Sequence, residues 1–349
     1  MYKYFLKPIL FRFDPEVVHD FFIWTGKWLG RCYLGRKLID VVYGYHGKDI
    51  SKTVDGITYR TPFLLSAGFD YNANLFNILP HIGLGGEEAG SVTAKPCDGN
   101  PKPRLKRLPR SRSIIVNKGL RNDGVLKIID KLKKKGDNSS DKFIVGVSIA
   151  KTNCNDAATV DGAIEDYAYS FRLLNEEKVG DYYTINISCP NAYGGEAFIT
   201  APLLEKLLAD LSKVPCDKPI YVKMPINIPW DQFDSLLSII DRYKLHGVVI
   251  GNLNKDYDSL EYRDEAPADF HGGLSGKPTK ALSTELIRKT RQKYGRRFTI
   301  MGVGGVMSPE DAREKFDAGA DLIQLITGMI YEGPGLIKKL CKWYAEYVD

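Results

Sequence analysis

The sequence predicts a (β/α)8 TIM barrel, a parallel eight-stranded barrel wrapped in helices, with an N-terminal helical extension. Three observations carry that reading: eight short apolar, β-rich runs from residue 62 onward, helical-period segments between them, and glycine or polar residues gathered just after the runs. Strict β–α alternation favours a parallel sheet, and eight units favour its closure over an open doubly wound sheet.

The strand candidates are 62–67, 86–93, 143–150, 182–188, 220–224, 247–252, 298–303 and 321–326. Between them, Leu203, Leu207 and Leu211, or Phe233, Leu236, Leu237 and Ile240, recur at helical spacing. Ser308-Pro309-Glu310-Asp311 combines a cap, a proline in the first turn and early acidic residues, which together start a helix.

Such a barrel needs about 250 residues, so a chain of 349 leaves an extension to explain. We divide it into an extension at 1–40 and a catalytic barrel at 41–349. Asp14-Pro15-Glu16 opens a helix that carries Val17, Phe21, Trp24 and Trp28 on one face. Before it, Tyr4, Phe5, Ile9, Leu10, Phe11 and Phe13 are interspersed with Lys3, Lys7 and Arg12. Aromatics beside cations on short amphipathic helices suit a membrane interface; a cap packed on the barrel rim fits the pattern equally well.

Composition narrows the function classes. With 44% hydrophobic and 26% charged residues the chain is ordinary globular protein, and a net charge of +6 is mild. The Lys133–Lys135 run reads as a solvated loop, and no basic-and-aromatic interleaving suggests a nucleic-acid partner. Six cysteines at no regular spacing read as free thiols, and His46, His81, His246 and His271 show no metal-ligand spacing. We expect no signal peptide, and no run of about 18 apolar residues that would span a bilayer.

Barrel enzymes work at the C-terminal ends of their strands. Here these ends hold Ser66-Ala67-Gly68-Phe69-Asp70, Asn186-Ile187-Ser188-Cys189-Pro190-Asn191, Lys223, and Gly251-Asn252. The glycine runs Gly272–Pro278 and Gly302–Val306 follow the sixth and seventh strands, and Thr327-Gly328 follows the eighth. Two glycine turns so placed expose backbone N–H groups and point to a phosphate-bearing ligand. No P-loop occurs, nor a G-x-G-x-x-G turn after the first strand. Lys223, in an otherwise apolar strand, calls for a negative partner such as a cofactor that becomes anionic on reduction; a rim lysine reaching solvent is the simpler alternative. Cys189, flanked by amides, could act as a thiolate base, or be an inert buried cysteine.

Together these ends resemble the dihydroorotate dehydrogenase family, nearly end to end. Asp14-Pro15-Glu16 with His19 is similar to the start of the quinone-tunnel helix of the family's membrane-associated class. The stretch Gly99-Asn100-Pro101-Lys102-Pro103-Arg104-Leu105-Lys106-Arg107-Leu108 resembles its G-N-x-x-P-R-x-x-R-L motif. The segments 186–191, 272–278 and 302–305 match its most specific motifs.

The resemblance implies FMN held by Ala67, Gly68, Ser91, Ser148, Asn186, Lys223, Gly276, Gly305 and Thr327, with no metal. It implies Cys189 as base and Asn186, Asn191 and Asn252 as the pyrimidine's holders. The implied reaction takes a proton from C5 and a hydride from C6 of dihydroorotate, in pyrimidine (UMP) synthesis. Electrons would leave to a quinone near His19 and Arg107, with the protein peripheral on the cytoplasmic face of the cell membrane.

This chain departs from the family at several places. Cys189 stands where the membrane class has serine, and Tyr71 where the family has lysine. The N-R-x-G-F loop appears as Val116-Asn117-Lys118-Gly119-Leu120, Leu253 replaces a hydroxyl residue, and Ile326 replaces a tyrosine. These departures keep two other readings open: flavin-dependent reduction of another cyclic amide or enone, and a flavin-binding membrane-associated protein without turnover.

Overall fold

The computed structural model describes residues 2–135, 143–191, 195–262, 266–267 and 270–348. The eight expected runs form strands β1 (Phe63–Leu65), β2 (Gly86–Val92), β3 (Ile144–Ile149), β4 (Tyr182–Asn186), β5 (Ile220–Met224), β6 (Gly247–Ile250), β7 (Thr299–Val303) and β8 (Leu322–Leu325). Each pairs in parallel with its sequence neighbours, and β8 pairs with β1 to close the barrel. The chain is therefore a (β/α)8 barrel.

Alternation along each strand sorts the interior into layers. Leu64, Ile144, Tyr182, Tyr221, Val249, Met301 and Leu322 fill the lower barrel as one apolar cluster. A hairpin of Lys52–Val54 and Ile57–Tyr59 closes that end, inserting Val54 and Tyr59 into the cluster. Above lies a polar layer in which Thr184 Oγ1 (2.8 Å) and Gln324 Nε2 (2.9 Å) both donate to Glu88. The site occupies the next level up. The larger core lies between barrel and helices, where side chains such as Phe171, Leu207, Leu236 and Ile287 are buried. Each such side chain contributes about 1.5–3 kcal/mol through burial.

The extension forms helix α1 (Pro15–Arg31) and helix α2 (Tyr33–Tyr43), which runs past residue 40. Asp14 caps α1, its carboxylate accepting from the N–H groups of Glu16 (2.8 Å) and Val17 (3.0 Å). The small face of α1 packs on the loop after β1: a Cβ on Gly26 would meet Leu75 at 2.7 Å, and one on Gly30 would meet Asn77 at 3.1 Å. Val17, Phe21, Trp24 and Trp28 face away from the barrel and are exposed, beside exposed Leu34, Leu38 and Val41 of α2. Among the described residues no helix is long and apolar enough to cross a membrane.

One expectation is corrected. Gly272–Pro278 is not simply a turn, because Gly273–Gly276 is a strand. It pairs antiparallel with Ser113–Val116, which pairs in turn with Leu105–Leu108. Glycines in a strand mark close approach of another backbone; a Cβ on Gly272 would meet Val116 O at 2.6 Å. This three-stranded sheet stands over the C-terminal mouth of the barrel and walls the cavity with Leu105, Ile114 and Val116.

Candidate active site

A single cavity at the barrel mouth gathers residues from the ends of all but one of the strands, from the three-stranded sheet and from α1. Of the nine residues expected to hold a cofactor, Ala67, Gly68, Ser91, Asn186, Lys223, Gly276, Gly305 and Thr327 line it. Ser148 lies one step behind, its hydroxyl 2.8 Å from that of Ser91. Asn186, Cys189, Asn191 and Asn252 also line the cavity, as does His19. Arg107 does not. Its guanidinium donates to Phe13 O (2.7 Å) and lies over the Phe11 ring, holding the N-terminal segment.

Strand register explains the central pair. Asn186 on β4 is the direct partner of Lys223 on β5, so both side chains rise from the same inner face. Lys223 is buried, and among the described residues its ammonium reaches one side chain, Ser66 Oγ, at 3.4 Å. Burial holds its pKa below the ordinary lysine value, while Glu88 in the layer beneath and Cys189 pull it back up. An ammonium with three donors and one long bond suits an anion placed above it.

The glycine turn after β7 has a local cause as well. Gly304 and Gly305 take φ of +107° and +74°, and a Cβ there would meet Thr279 at 2.5 Å and Lys280 at 2.4 Å. Packing against the start of helix Lys280–Tyr294 thus demands glycine whether or not a phosphate binds. Gly68, with φ +107°, differs: a Cβ would meet only Ile326, at 3.8 Å, so that backbone borders open space. The fit of an anionic planar cofactor accordingly rests on Lys223 and the Ala67–Gly68 edge.

The asparagines are held by protein bonds. Asn186 Nδ2 donates to Ser91 Oγ (2.8 Å), and its Oδ1 accepts from the Ser188 N–H and hydroxyl (both 3.2 Å). Asn252 Nδ2 donates to Ser188 O and Oγ (both 2.6 Å), and its Oδ1 accepts from Leu253 N (2.8 Å). Asn191 Nδ2 donates to Val116 O (2.8 Å), tying the β4 loop to the overlying sheet. Ser188 orients two of the three asparagines and was not singled out from the sequence. Cys189 is surrounded by this frame, and burial pushes its thiol up to about 11, against the opposing pull of the Asn191 N–H, Lys223 and Lys151.

The mouth carries a second polar group that the sequence did not reveal. Glu16 of α1 is buried and accepts from Lys118 Nζ (3.1 Å), Arg121 (3.2 Å) and Arg104 (3.4 Å). Lys118 lines the cavity and sits over the Tyr71 ring, 5.1 Å from its centroid. Tyr71 also lines the cavity, its hydroxyl 3.2 Å from His19 Nδ1. Glu16, Tyr71 and Lys118 come from segments far apart in the chain; each lay in a stretch the sequence had marked, but their meeting at the cavity mouth was not readable there.

Comparison with known proteins accords with this arrangement. The profile of the dihydroorotate dehydrogenase family matches residues 49–347. The chain is 37% identical over 347 residues to a protein named dihydroorotate dehydrogenase (quinone) from Christiangramia forsetii, covering 97% of each. It is 33% identical to one of the same name from Synechococcus sp. strain JA-3-3Ab, over 99% of this chain and 92% of that one. Among solved structures, ligand-free DHODH from Eimeria tenella superposes with a TM-score of 0.82 at 25% identity, covering 96% of this chain and 95% of that one.

Proposed function

The chain belongs to the dihydroorotate dehydrogenase family, and from that premise we propose that it oxidises dihydroorotate to orotate with FMN in the barrel-mouth cavity and passes the electrons to a quinone, a step of pyrimidine (UMP) synthesis. The observation that supports this best is the union in one cavity of a buried, under-bonded Lys223, a thiol at Cys189 and the asparagines 186, 191 and 252.

FMN would be held by Ala67, Gly68, Ser91, Asn186, Lys223, Gly276, Gly305 and Thr327, with Ser148 bracing Ser91. Bound there, it supplies the acceptor for the hydride from C6. Lys223 balances negative charge on that group. Cys189 takes the C5 proton, which requires its thiolate. The free N–H of Asn186 and the amide of Asn191 hold the planar ring, and the Ser188 bonds keep Asn186 and Asn252 from turning away. Lys118, ion-paired with Glu16 at 3.1 Å, also lines the cavity and is a cation that a substrate carboxylate could meet there.

We assign residues 1–40 to the quinone and membrane side and 41–349 to catalysis. The exposed aromatic face of α1 and α2 supports peripheral docking on the cytoplasmic face of the cell membrane, where a quinone could enter beside His19. Arg107, which we assign with His19 to the quinone site, also anchors the N-terminal segment on this side.

The test is anaerobic mixing of the FMN-bound chain with dihydroorotate. Bleaching of the flavin absorbance is expected. In Cys189→Ala, FMN stays bound and bleaching slows by about a hundredfold or more, the ordinary contribution of a positioned base. Absence of bleaching in the unaltered chain at high substrate would sink the reading and favour another cyclic amide or enone.

A further inference from the structure

Three hydrogen bonds meet on one imidazole at the cavity mouth. His19 Nε2 lies 2.8 Å from the carbonyl oxygen of Phe69. Its Nδ1 lies 3.2 Å from the Tyr71 hydroxyl and 3.2 Å from Asp20 Oδ1. A carbonyl only accepts, so the Phe69 bond requires a proton on Nε2. That leaves Nδ1 with two exclusive states. Bare, it accepts the Tyr71 O–H; protonated, it donates to Asp20 and frees the Tyr71 proton to turn into the cavity.

The two partners lie on opposite sides of the wall. Tyr71 lines the cavity and is 9% exposed. The Asp20 side chain is 47% exposed and pairs with Arg121 at 3.3 Å. His19 and Tyr71 rings sit 5.0 Å apart and tilted, which keeps the hydroxyl on Nδ1. We propose that Tyr71, His19 and Asp20 form a proton relay between solvent and the cavity, and that it supplies the proton a quinone takes up on reduction. This rests on the quinone-linked reading above.

The balance calls for one proton from solvent, which such a path can deliver. Dihydroorotate gives up a proton at C5, to Cys189, and a hydride at C6. A quinone that receives the hydride equivalent is left as an anion, and one more proton completes the quinol. That proton passes from solvent to Asp20, to His19 Nδ1, and on to the Tyr71 oxygen as the Tyr71 proton leaves toward the quinone. No charge stays on Tyr71, in keeping with a phenol that burial, then Asp20, pushes above its ordinary value.

The charged groups facing His19 are Asp20 on its own helix, Glu16 one turn earlier, and Lys118 and Arg121 from the segment packed against it. Burial first, then the Lys118 cation, hold the imidazole below its ordinary value, so it rests neutral with Nδ1 open to Tyr71. Protonation is then a transient step, as a relay needs.

Two measurements test this. In the first, the FMN-bound full chain is photoreduced without substrate and mixed with a short-chain ubiquinone analogue. Reoxidation is expected to slow by about a hundredfold in Tyr71→Phe and Asp20→Asn. Because no dihydroorotate is used, failure of the relay and failure of the substrate reading are read separately. In the second, nitrogen NMR of His19 is recorded on the chain without cofactor. The proton should sit on Nε2 at neutral pH. Tyr71→Phe removes a bond that only the neutral ring makes and should raise the His19 pKa, whereas Asp20→Asn should lower it. Unchanged reoxidation in both variants, a proton on Nδ1 at neutral pH, or shifts of the same sign would overturn the proposal.

Discussion

Cys189 shows how much of a residue's chemistry lies outside its own segment. Its neighbours in sequence, Asn186 and Asn191, were legible because they lie on one strand end. Its acidity was not, because it depends on burial and on Lys223 and Lys151 from other strands. With the thiol pushed up to about 11, only a small fraction is thiolate at neutral pH. The sign follows directly: the base is the deprotonated form, so its population rises roughly tenfold per pH unit below the pKa. Substrate-driven flavin reduction should therefore climb with a slope of about one on a log scale between pH 7 and 10. A flat profile in stopped-flow measurements would assign the proton transfer elsewhere. His19, Tyr71 and Lys118 illustrate the same limit, since the helix, turn and loop that carry them meet only in the folded chain.

At the scale of elements, α1 is a helix with two different faces. Gly26 and Gly30 let it lie close on the loop after β1, and Glu16 ties it to Lys118, Arg104 and Arg121. The spacing of Val17, Phe21, Trp24 and Trp28 was readable in the sequence, but whether that face met the barrel was not. It stays bare, with Trp24 64% and Trp28 59% exposed. Replacing both, Trp24→Ser with Trp28→Ser, should weaken co-sedimentation with anionic phospholipid vesicles by roughly tenfold or more. The melting temperature should barely move, because exposed positions shift stability by only about 0.5 kcal/mol each. A large loss of stability with unchanged vesicle binding would mean that the face packs within the protein. The sheet of Leu105–Leu108, Ser113–Val116 and Gly273–Gly276 escaped the sequence for a different reason. Its third strand comes from a glycine run whose partner lies more than 150 residues away, and such pairing leaves no local periodic signal.

For the whole molecule, the barrel wall contains an electrostatic debt. Glu88 accepts from Thr184 and Gln324 through one of its oxygens inside the barrel, while Glu87, on the opposite face of β2, is fully buried and has no hydrogen-bond partner among the described residues. Burial, then Asp70, holds Glu87 well above the ordinary carboxylate range. Burial likewise pushes Asp70 up to about 6, against the backbone N–H groups of Leu75, Asn74 and Asn72. Folded-state values above the unfolded ones mean that the folded chain binds these protons more tightly. Their stabilising contribution is full below the unfolded carboxylate values and is lost as pH rises through about 6 for Asp70 and higher for Glu87. Glu87→Gln should thus raise the melting temperature at pH 8, with the gain shrinking toward pH 5. An equal gain at both pH values, or a loss at pH 8, would show that the carboxylate has a partner.

The sequence alone determined the eight strands, their order and the polar residues at their ends. These follow from local alternation of apolar runs and helical periods, and from residues contiguous along one strand. Only the tertiary structure decided which cavity wall Lys118, Tyr71 and His19 share, that Arg107 serves the N-terminal segment, and that the aromatic face of α1 stays uncovered. Those outcomes depend on distances between segments remote in sequence and on burial. Both are properties of the packed chain that no stretch of it encodes by itself.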